Sequence, residues 1–343
     1  MISLQSYVRG QWVAGSGDAK TLHDPSTEAV LGEVRQGGVD FAAALEHARK
    51  VGGPALRALT FSQRAELLKG IAAKLHEHRD ELIEIAGRNG GNTRGDAKFD
   101  LDGASGTLAF YAQFGAALPT GHHLPDGDGV QLGRTPRFYG QHILLPRPGV
   151  ALHINAFNFP AWGMGEKMAC ALLAGVPVIE KAGTPSALLA HRIARLIVDN
   201  QLLPEGSFQF LAGSVAGMLD LLGSQDTVAF TGSAATGMNI RGNKNLLARS
   251  VRVNIEADSI NPAVLGPDVD SGSDTFEQFL ANLAIDMTQK AINASSFGVK
   301  RYFMDENALS FNVDISGAPG TQWPELRQGP IRPRLDWKIE KID

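Results

Sequence analysis

Twelve consecutive residues constrain this chain most: Asp226-Thr-Val-Ala-Phe230-Thr231-Gly232-Ser233-Ala-Ala-Thr236-Gly237. Val228 to Phe230 reads as a short apolar strand. A Thr-Gly-Ser turn follows, then a helix that holds Gly237 in its first turns. Strand, tight glycine turn and helix start together present backbone N–H groups to an anion. The pattern is not G-x-G-x-x-G, so the standard dinucleotide fingerprint is absent. A plain strand–helix connection has the same local sequence. What surrounds the turn decides between these readings.

The surroundings make a nucleotide site as good a reading as a plain connection. Val150-Ala-Leu-His-Ile-Asn155 is a buried-strand run. Ala156-Phe157-Asn158-Phe159-Pro160 leads from it into a helix with Met164, Met168, Ala171 and Leu172 on one side. Val176 to Ile179 is the next strand, ending at Glu180-Lys181. A helix over 186–198, a strand from Phe208 to Leu211, Gly213, a short helix over 215–222 and the strand 227–230 follow. This alternation from 148 to 250 predicts parallel βαβ units. Ligands of such sheets sit beyond the carboxyl ends of the strands. Asn158, Lys181, Gly213 and Gly232 all fall at such ends.

The chain before residue 148 reads as scaffold. Residues 5–35 are β-hairpin material with turns at Gly10 and Asp24-Pro25. A helix runs from Asp40 to Val51. A stronger one follows Thr60, with Leu67, Leu68, Ile71, Leu75, Leu82 and Ile83 at helical spacing and Thr60 or Ser62 as cap. Residues 99–117 form another, packing as a wall and not as a site. Loop and ribbon are expected over 119–147. The His122-His123 pair there lacks further ligands at metal-binding spacing, so no metal is expected. Arg134, Arg137 and Arg147 could meet phosphates or be ordinary surface arginines.

Composition removes several classes. With 343 residues and 43% hydrophobic content, two domains with large cores are possible. A net charge of −4 gives no nucleic-acid footprint, and no apolar run reaches membrane-span length. The start lacks a basic region followed by an apolar one, so a cytoplasmic protein without a signal peptide is expected. The single cysteine, Cys170, lies among Met168, Ala169, Ala171 and Leu172 and reads as a buried structural thiol.

Several polar residues carry chemical possibilities. The Asn158 amide can donate to a developing oxyanion, or bond its own turn. Lys181 can reach a ribose or phosphate, or end a strand in water. Glu256 follows the alternating run Val251-Arg-Val-Asn-Ile255 and could act as a general base if partly desolvated. Glu166 and Lys167 form a helix pair that is either solvated or tunes a neighbour.

In order and spacing, His153-Ile-Asn-Ala-Phe-Asn158-Phe-Pro160, Lys181, Phe230-Thr-Gly-Ser-Ala-Ala-Thr-Gly237 and Glu256 resemble the aldehyde dehydrogenase superfamily. The likeness covers about residues 5–291 and is closest to a branch acting on CoA-linked semialdehydes in aromatic compound degradation. Glu256-Ala-Asp-Ser-Ile-Asn261 departs from the commoner Glu-Leu-Gly-Gly-Lys. The resemblance implies an α/β, Rossmann-like nucleotide-binding domain over 1–255, with a β ribbon at about 120–147. It implies a cysteine thiolate that attacks the aldehyde, Asn158 at the oxyanion, hydride transfer to a nicotinamide, and Glu256 activating water against the thioester. Ala156, Phe157, Lys181, Thr184, Gly213, Thr231, Gly232, Ser233 and Gly237 are the implied nucleotide-binding residues. Members that prefer NAD usually carry Glu at the position of Thr184, so NADP is expected over NAD.

The likeness stops at the nucleophile. Met287-Thr-Gln-Lys-Ala291 matches the branch, but Ile292-Asn-Ala-Ser295 follows, with Ser295 at the ungapped cysteine position. Residues 256–295 are therefore expected to begin a catalytic domain, and 296–343 to be a divergent tail rich in Pro, Gly and charge. Serine is a far weaker nucleophile than thiolate. The expectation is an impaired enzyme of the NADP type whose substrate class is a CoA-linked aldehyde. The alternative is a non-catalytic nucleotide-binding remnant that associates with full-length copies. The family's homo-oligomer is doubtful for such a chain.

Overall fold

The structure is a computed structural model that describes residues 2–257, 265–266, 268–288, 310–311 and 339–340. The N-terminal hairpin, β1 (Ile2–Val8) and β2 (Gln11–Ala14), turns at Arg9 and Gly10, both at positive φ. It does not stand apart. β3 (Ser16–His23) pairs antiparallel with β4 (Val30–Gly37), and β4 runs parallel to β1. Tyr7 of β1 then pairs with Phe210, which joins the hairpin to the main sheet.

Four helical segments follow: α1 (Phe41–His47), α2 (Gly53–Arg57), α3 (Phe61–Glu77) and α4 (Arg79–Ile85). Thr60 is the cap of α3. Its hydroxyl accepts from Gln63 N at 3.3 Å while Gln63 Oε1 accepts from Thr60 N at 2.9 Å, a reciprocal arrangement worth about 1 kcal/mol. α5 (Arg94–Ala117) starts earlier than the apolar spacing alone predicts, because Thr93 caps it by accepting from Asp96 N. The ribbon forms as expected. β5 (Leu124–Pro125) pairs with β8 (Ile143–Leu144), and β6 (Val130–Gln131) with β7 (Tyr139–Gly140). Val130, Leu132, Phe138 and Leu145 stand exposed on it.

The parallel core is β9 (Ala151–Ile154), α6 (Pro160–Leu173), β10 (Val178–Lys181), α7 (Ala187–Asp199), β11 (Phe208–Leu211), β12 (Thr227–Gly232), α8 (Ala234–Arg241), α9 (Lys244–Ala248) and β13 (Arg252–Ala257). The expected helix over 215–222 is a single tight turn at Leu219–Leu221, hemmed in by Gly217 at φ +86° and by Gly223. The order β13-β12-β9-β10-β11-β1-β4-β3 gives one nine-stranded sheet, with β2 paired to β1. α10 (Asp274–Thr288) and a two-stranded pair, β14 (Ser310–Phe311) with β15 (Ile339–Glu340), complete the described elements.

Alternating strand residues bury two cores. Ala151, Val178, Phe208 and Phe210 pack with Leu68, Leu108, Met164 and Ile193 of α3, α5, α6 and α7. Leu152, Ile154, Ile179, Val228 and Phe230 pack on the other face with Leu45, Ile240 and Leu246. Each of the larger side chains contributes about 1.5–3 kcal/mol on burial. The two layers fix the strands, and so fix which residues emerge at their carboxyl ends. Among the described residues no helix is long and apolar enough to cross a membrane.

Candidate active site

The sheet register gathers the candidates at one edge. Ile154 pairs with Lys181 on one side and with Phe230 on the other, and Phe230 pairs with Ile255. Asn158 follows Ile154 by four residues, and Glu256 follows Ile255 directly. With strands about 4.8 Å apart, the ends of β10, β9, β12 and β13 span roughly 14 Å. Asn158, Lys181, Gly232 and Glu256 therefore share the carboxyl edge, where open parallel sheets bind ligands.

The 155–159 loop is held at several points. Asn155 N donates to Lys181 O at 3.0 Å, one step past the β9–β10 ladder. Asn155 Nδ2 donates to Glu180 Oε2 at 2.8 Å, and His153 Nδ1 lies 2.6 Å from Glu180 Oε1. Ser186 Oγ donates to Phe157 O at 2.5 Å. Gly183 has no room for a side chain: a Cβ there would lie 2.7 Å from Phe157 N and Cα. At the far end, Asp100 of α5 accepts from Ala161 N at 3.2 Å and Trp162 N at 2.7 Å. It thus caps α6, whose own Phe159 supplies no side-chain cap. So α5 is more than a wall; it fixes one end of the Asn158 loop. Asn158 itself is half-buried.

Lys181 is half-buried, not a solvated strand end. Its Nζ donates to Thr184 Oγ1 at 3.4 Å. Burial pushes the ammonium pKa down to about 8, and the nearby Lys20 pushes the same way. A desolvated cation beside a neutral hydroxyl is a ready partner for an anion.

The Thr231–Gly237 turn has the expected geometry, with its glycines serving packing. Ser233 caps α8, its hydroxyl accepting from Thr236 N at 3.3 Å. Gly237 is buried, and a Cβ on it would lie 2.9 Å from Ile255 Cγ2, so it sets how closely α8 approaches β13. Gly213 is likewise buried, where a Cβ would lie 2.5 Å from Arg35 O. Thr231 Oγ1 donates to Glu256 Oε2 at 3.2 Å. Glu256 is exposed on β13, the edge strand among the described residues.

Cys170 corrects the sequence reading. It is exposed, and its hydrogen bond to Tyr111 of α5 raises that phenol's pKa, with burial and Glu166 adding to the effect. The apolar neighbours that suggested burial, Met168 and Ala169, lie on the inward side of α6, and the 100° step per residue turns Cys170 outward. Lys167 departs from a solvated helix pair: its side chain is 10% exposed, with Nζ 3.1 Å from Glu166 Oε1 and 3.2 Å from Gly163 O. Arg147 is occupied by the carbonyls of Ser224 and Gln225, while Arg134 and Arg137 are exposed. His122 is exposed, and among the described residues no group of three metal-ligating side chains occurs. Ser295 lies outside the described residues.

Residues 12–314 match the model of the aldehyde dehydrogenase family. The chain is 48% identical over 289 residues to a 3,4-dehydroadipyl-CoA semialdehyde dehydrogenase of Aromatoleum evansii, covering 84% of this chain and 56% of that one. It is 28% identical to the NADP(+) succinate-semialdehyde dehydrogenase of Escherichia coli strain K12, covering 69% of this chain and 48% of the relative. Among solved structures, a lactaldehyde dehydrogenase superposes with a TM-score of 0.71 at 24% identity, covering 84% of this chain and 57% of that chain. A Staphylococcus aureus betaine aldehyde dehydrogenase in complex with NAD+ gives a TM-score of 0.69 at 22% identity, covering 81% and 53%. These two share the fold. The chain spans about half the length of the relatives it matches. It belongs to the aldehyde dehydrogenase family.

Proposed function

We propose that this chain carries the NADP-binding part of a dehydrogenase site for a CoA-linked semialdehyde, and that the polypeptide itself does not turn over. The cofactor reading rests on Lys181. Its half-buried ammonium at the end of β10 meets the neutral hydroxyl of Thr184, where a carboxylate would repel a 2′-phosphate. The substrate class rests on the likeness to the Aromatoleum evansii enzyme.

When bound, a nicotinamide cofactor accepts hydride from the substrate carbon. In this reading Lys181 and Thr184 hold the ribose and its phosphate, and the Ala156–Phe157 backbone flanks the nucleotide. The Ser233-capped start of α8, with Thr231 and Gly232, offers N–H groups to the diphosphate. Asn158 donates to the oxygen that gains charge, and Glu256 takes a proton from water. Residues 1–255 form the nucleotide-binding unit and the catalytic one begins at 256; the family match runs on to residue 314. The setting is cytoplasmic.

The missing thiol favours the non-catalytic side of this reading. Cys170 is the sole cysteine of the sequence. It sits ten residues along α6 from Pro160, so about 15 Å from the Asn158 loop. Ser295 would have to act as nucleophile without a thiolate's reactivity. The exposed apolar ribbon supports a second role, association with complete copies of the enzyme. The test is to mix the purified chain with NADP+ and a CoA-linked semialdehyde. NADP+ should bind and no NADPH should form; steady NADPH production would refute the non-catalytic reading.

A further inference from the structure

His153, Asn155 and Glu180 touch no reacting group in the proposed site, yet all three are buried, at 4%, 6% and 0% exposure. Glu180 and His153 are direct cross-strand partners, and Asn155 lies two residues on, just past the end of β9. Both carboxylate oxygens are engaged, at 2.6 Å by His153 and at 2.8 Å by Asn155. The Asn155 amide has one sensible orientation. Its nitrogen faces Glu180, and its oxygen, which has no partner, faces away. Turned round, the oxygen would oppose a carboxylate.

Stability alone is a poor reason for this cluster. A buried polar network replaced by apolar side chains of similar volume is often as stable or more so. What the cluster adds is lateral definition past the end of the ladder. Asn155 is the first residue of the loop, and its side chain ties that residue to β10 where backbone pairing ends. Three residues on comes Asn158. The opposite end of the loop is fixed by Asp100, and its middle by Ser186.

We infer that Glu180 is a positioning residue: through Asn155 and His153 it holds the 155–159 loop, and so Asn158, in one place over the ends of β9 and β10. A site needs such support because a loop left untethered is too loose for binding or chemistry. The inference deepens the proposed function and rests on it for its second readout alone.

The test compares the full chain with Glu180→Leu, Glu180→Gln and Asn155→Val. The first readout is the backbone order parameter of residues 156–159, measured without nucleotide. It should be about 0.85 in the parent and fall below about 0.6 in Glu180→Leu and Asn155→Val, while β12 and β13 stay unchanged. Glu180→Gln keeps an oxygen for Asn155 and should recover most of the order. The second readout is NADP+ affinity, expected to weaken about tenfold in both apolar variants. Unchanged order at 156–159, or a loss spread evenly over the sheet, overturns the inference. So does an apolar variant with a mobile loop and undiminished NADP+ affinity. If Glu180→Leu does not fold, Asn155→Val decides alone. If the parent chain binds no NADP+, the functional reading fails while the order parameters still decide this inference.

Discussion

The two halves of the carboxyl edge are built differently. At the ends of β9 and β10, buried side chains hold the backbone: Glu180 takes both Asn155 and His153, Ser186 holds Phe157, and Gly183 lets the loop lie against its neighbour. At the ends of β12 and β13, the described side chains are mostly half-buried or exposed. Thr231 meets Glu256 in the open, and Ser233 caps a helix of eight residues. The first half is organised before a ligand arrives. The second presents its chemistry on an edge strand. Binding can be complete at the first half while Glu256 of the second stays exposed.

The contrast should break most visibly at its glycines. Gly183→Ala places a Cβ 2.7 Å from Phe157 backbone atoms, which cannot step aside. We expect a loss of about 3 kcal/mol in denaturant unfolding. A loss under about 1 kcal/mol would show the loop to be softer than described.

Acid should act elsewhere, where α7 packs on the sheet. His191 of α7 makes edge-to-face contacts with Trp12 and Phe210, and burial, with Arg195 and Arg192 nearby, lowers its pKa from 6.5 to about 4. Between those values the unfolded chain binds more protons. Stability present above pH 6.5 should fall as pH drops toward 4, by on the order of 2 kcal/mol, and His191→Phe should flatten that slope. An unchanged slope in melts across this range would remove His191 as the cause.

Lys181→Met should weaken NADP+ binding at least tenfold, about 1.4 kcal/mol, without lowering the melting temperature. Its folded pKa, about 8 against 10.5, means that the cost of burying the charge is present below pH 8 and fades as pH rises toward 10.5. A large drop in melting temperature would recast Lys181 as structural. Thr184→Glu should reverse cofactor preference in the same titration.

The open half should tolerate change. In Gly237→Ala the new methyl meets the branch methyl Cγ2 of Ile255, 2.9 Å away, so α8 must shift slightly, and alanine's helix propensity offsets about 1 kcal/mol of the strain. Glu256→Gln should shift stability by less than about 0.5 kcal/mol. A larger effect from either would mean that this end is as constrained as the other.

What could be read in the sequence follows the same division. The Thr60 cap, the strand ends and the Ser233 turn are local patterns, and each stands where its residues predict. Glu180 was invisible because its partners lie 25 and 27 residues away on another strand, and a lone acid before Lys181 looks like a strand end. Asp100 hides for the same reason inside an ordinary helix. Cys170 departs from its sequence reading because near neighbours in sequence sit on opposite sides of a helix. Local chemistry shows where the edge lies, and tertiary pairing decides which part of it is rigid.

We propose the β9–β10 end as a preformed site for a 2′-phosphorylated nicotinamide nucleotide. Calorimetric titration of the full chain with NADP+ and with NAD+ at equal salt tests it most directly. Saturable NADP+ binding at least tenfold tighter than that of NAD+ is the expected result. Tighter binding of NAD+, or binding of neither, would contradict it.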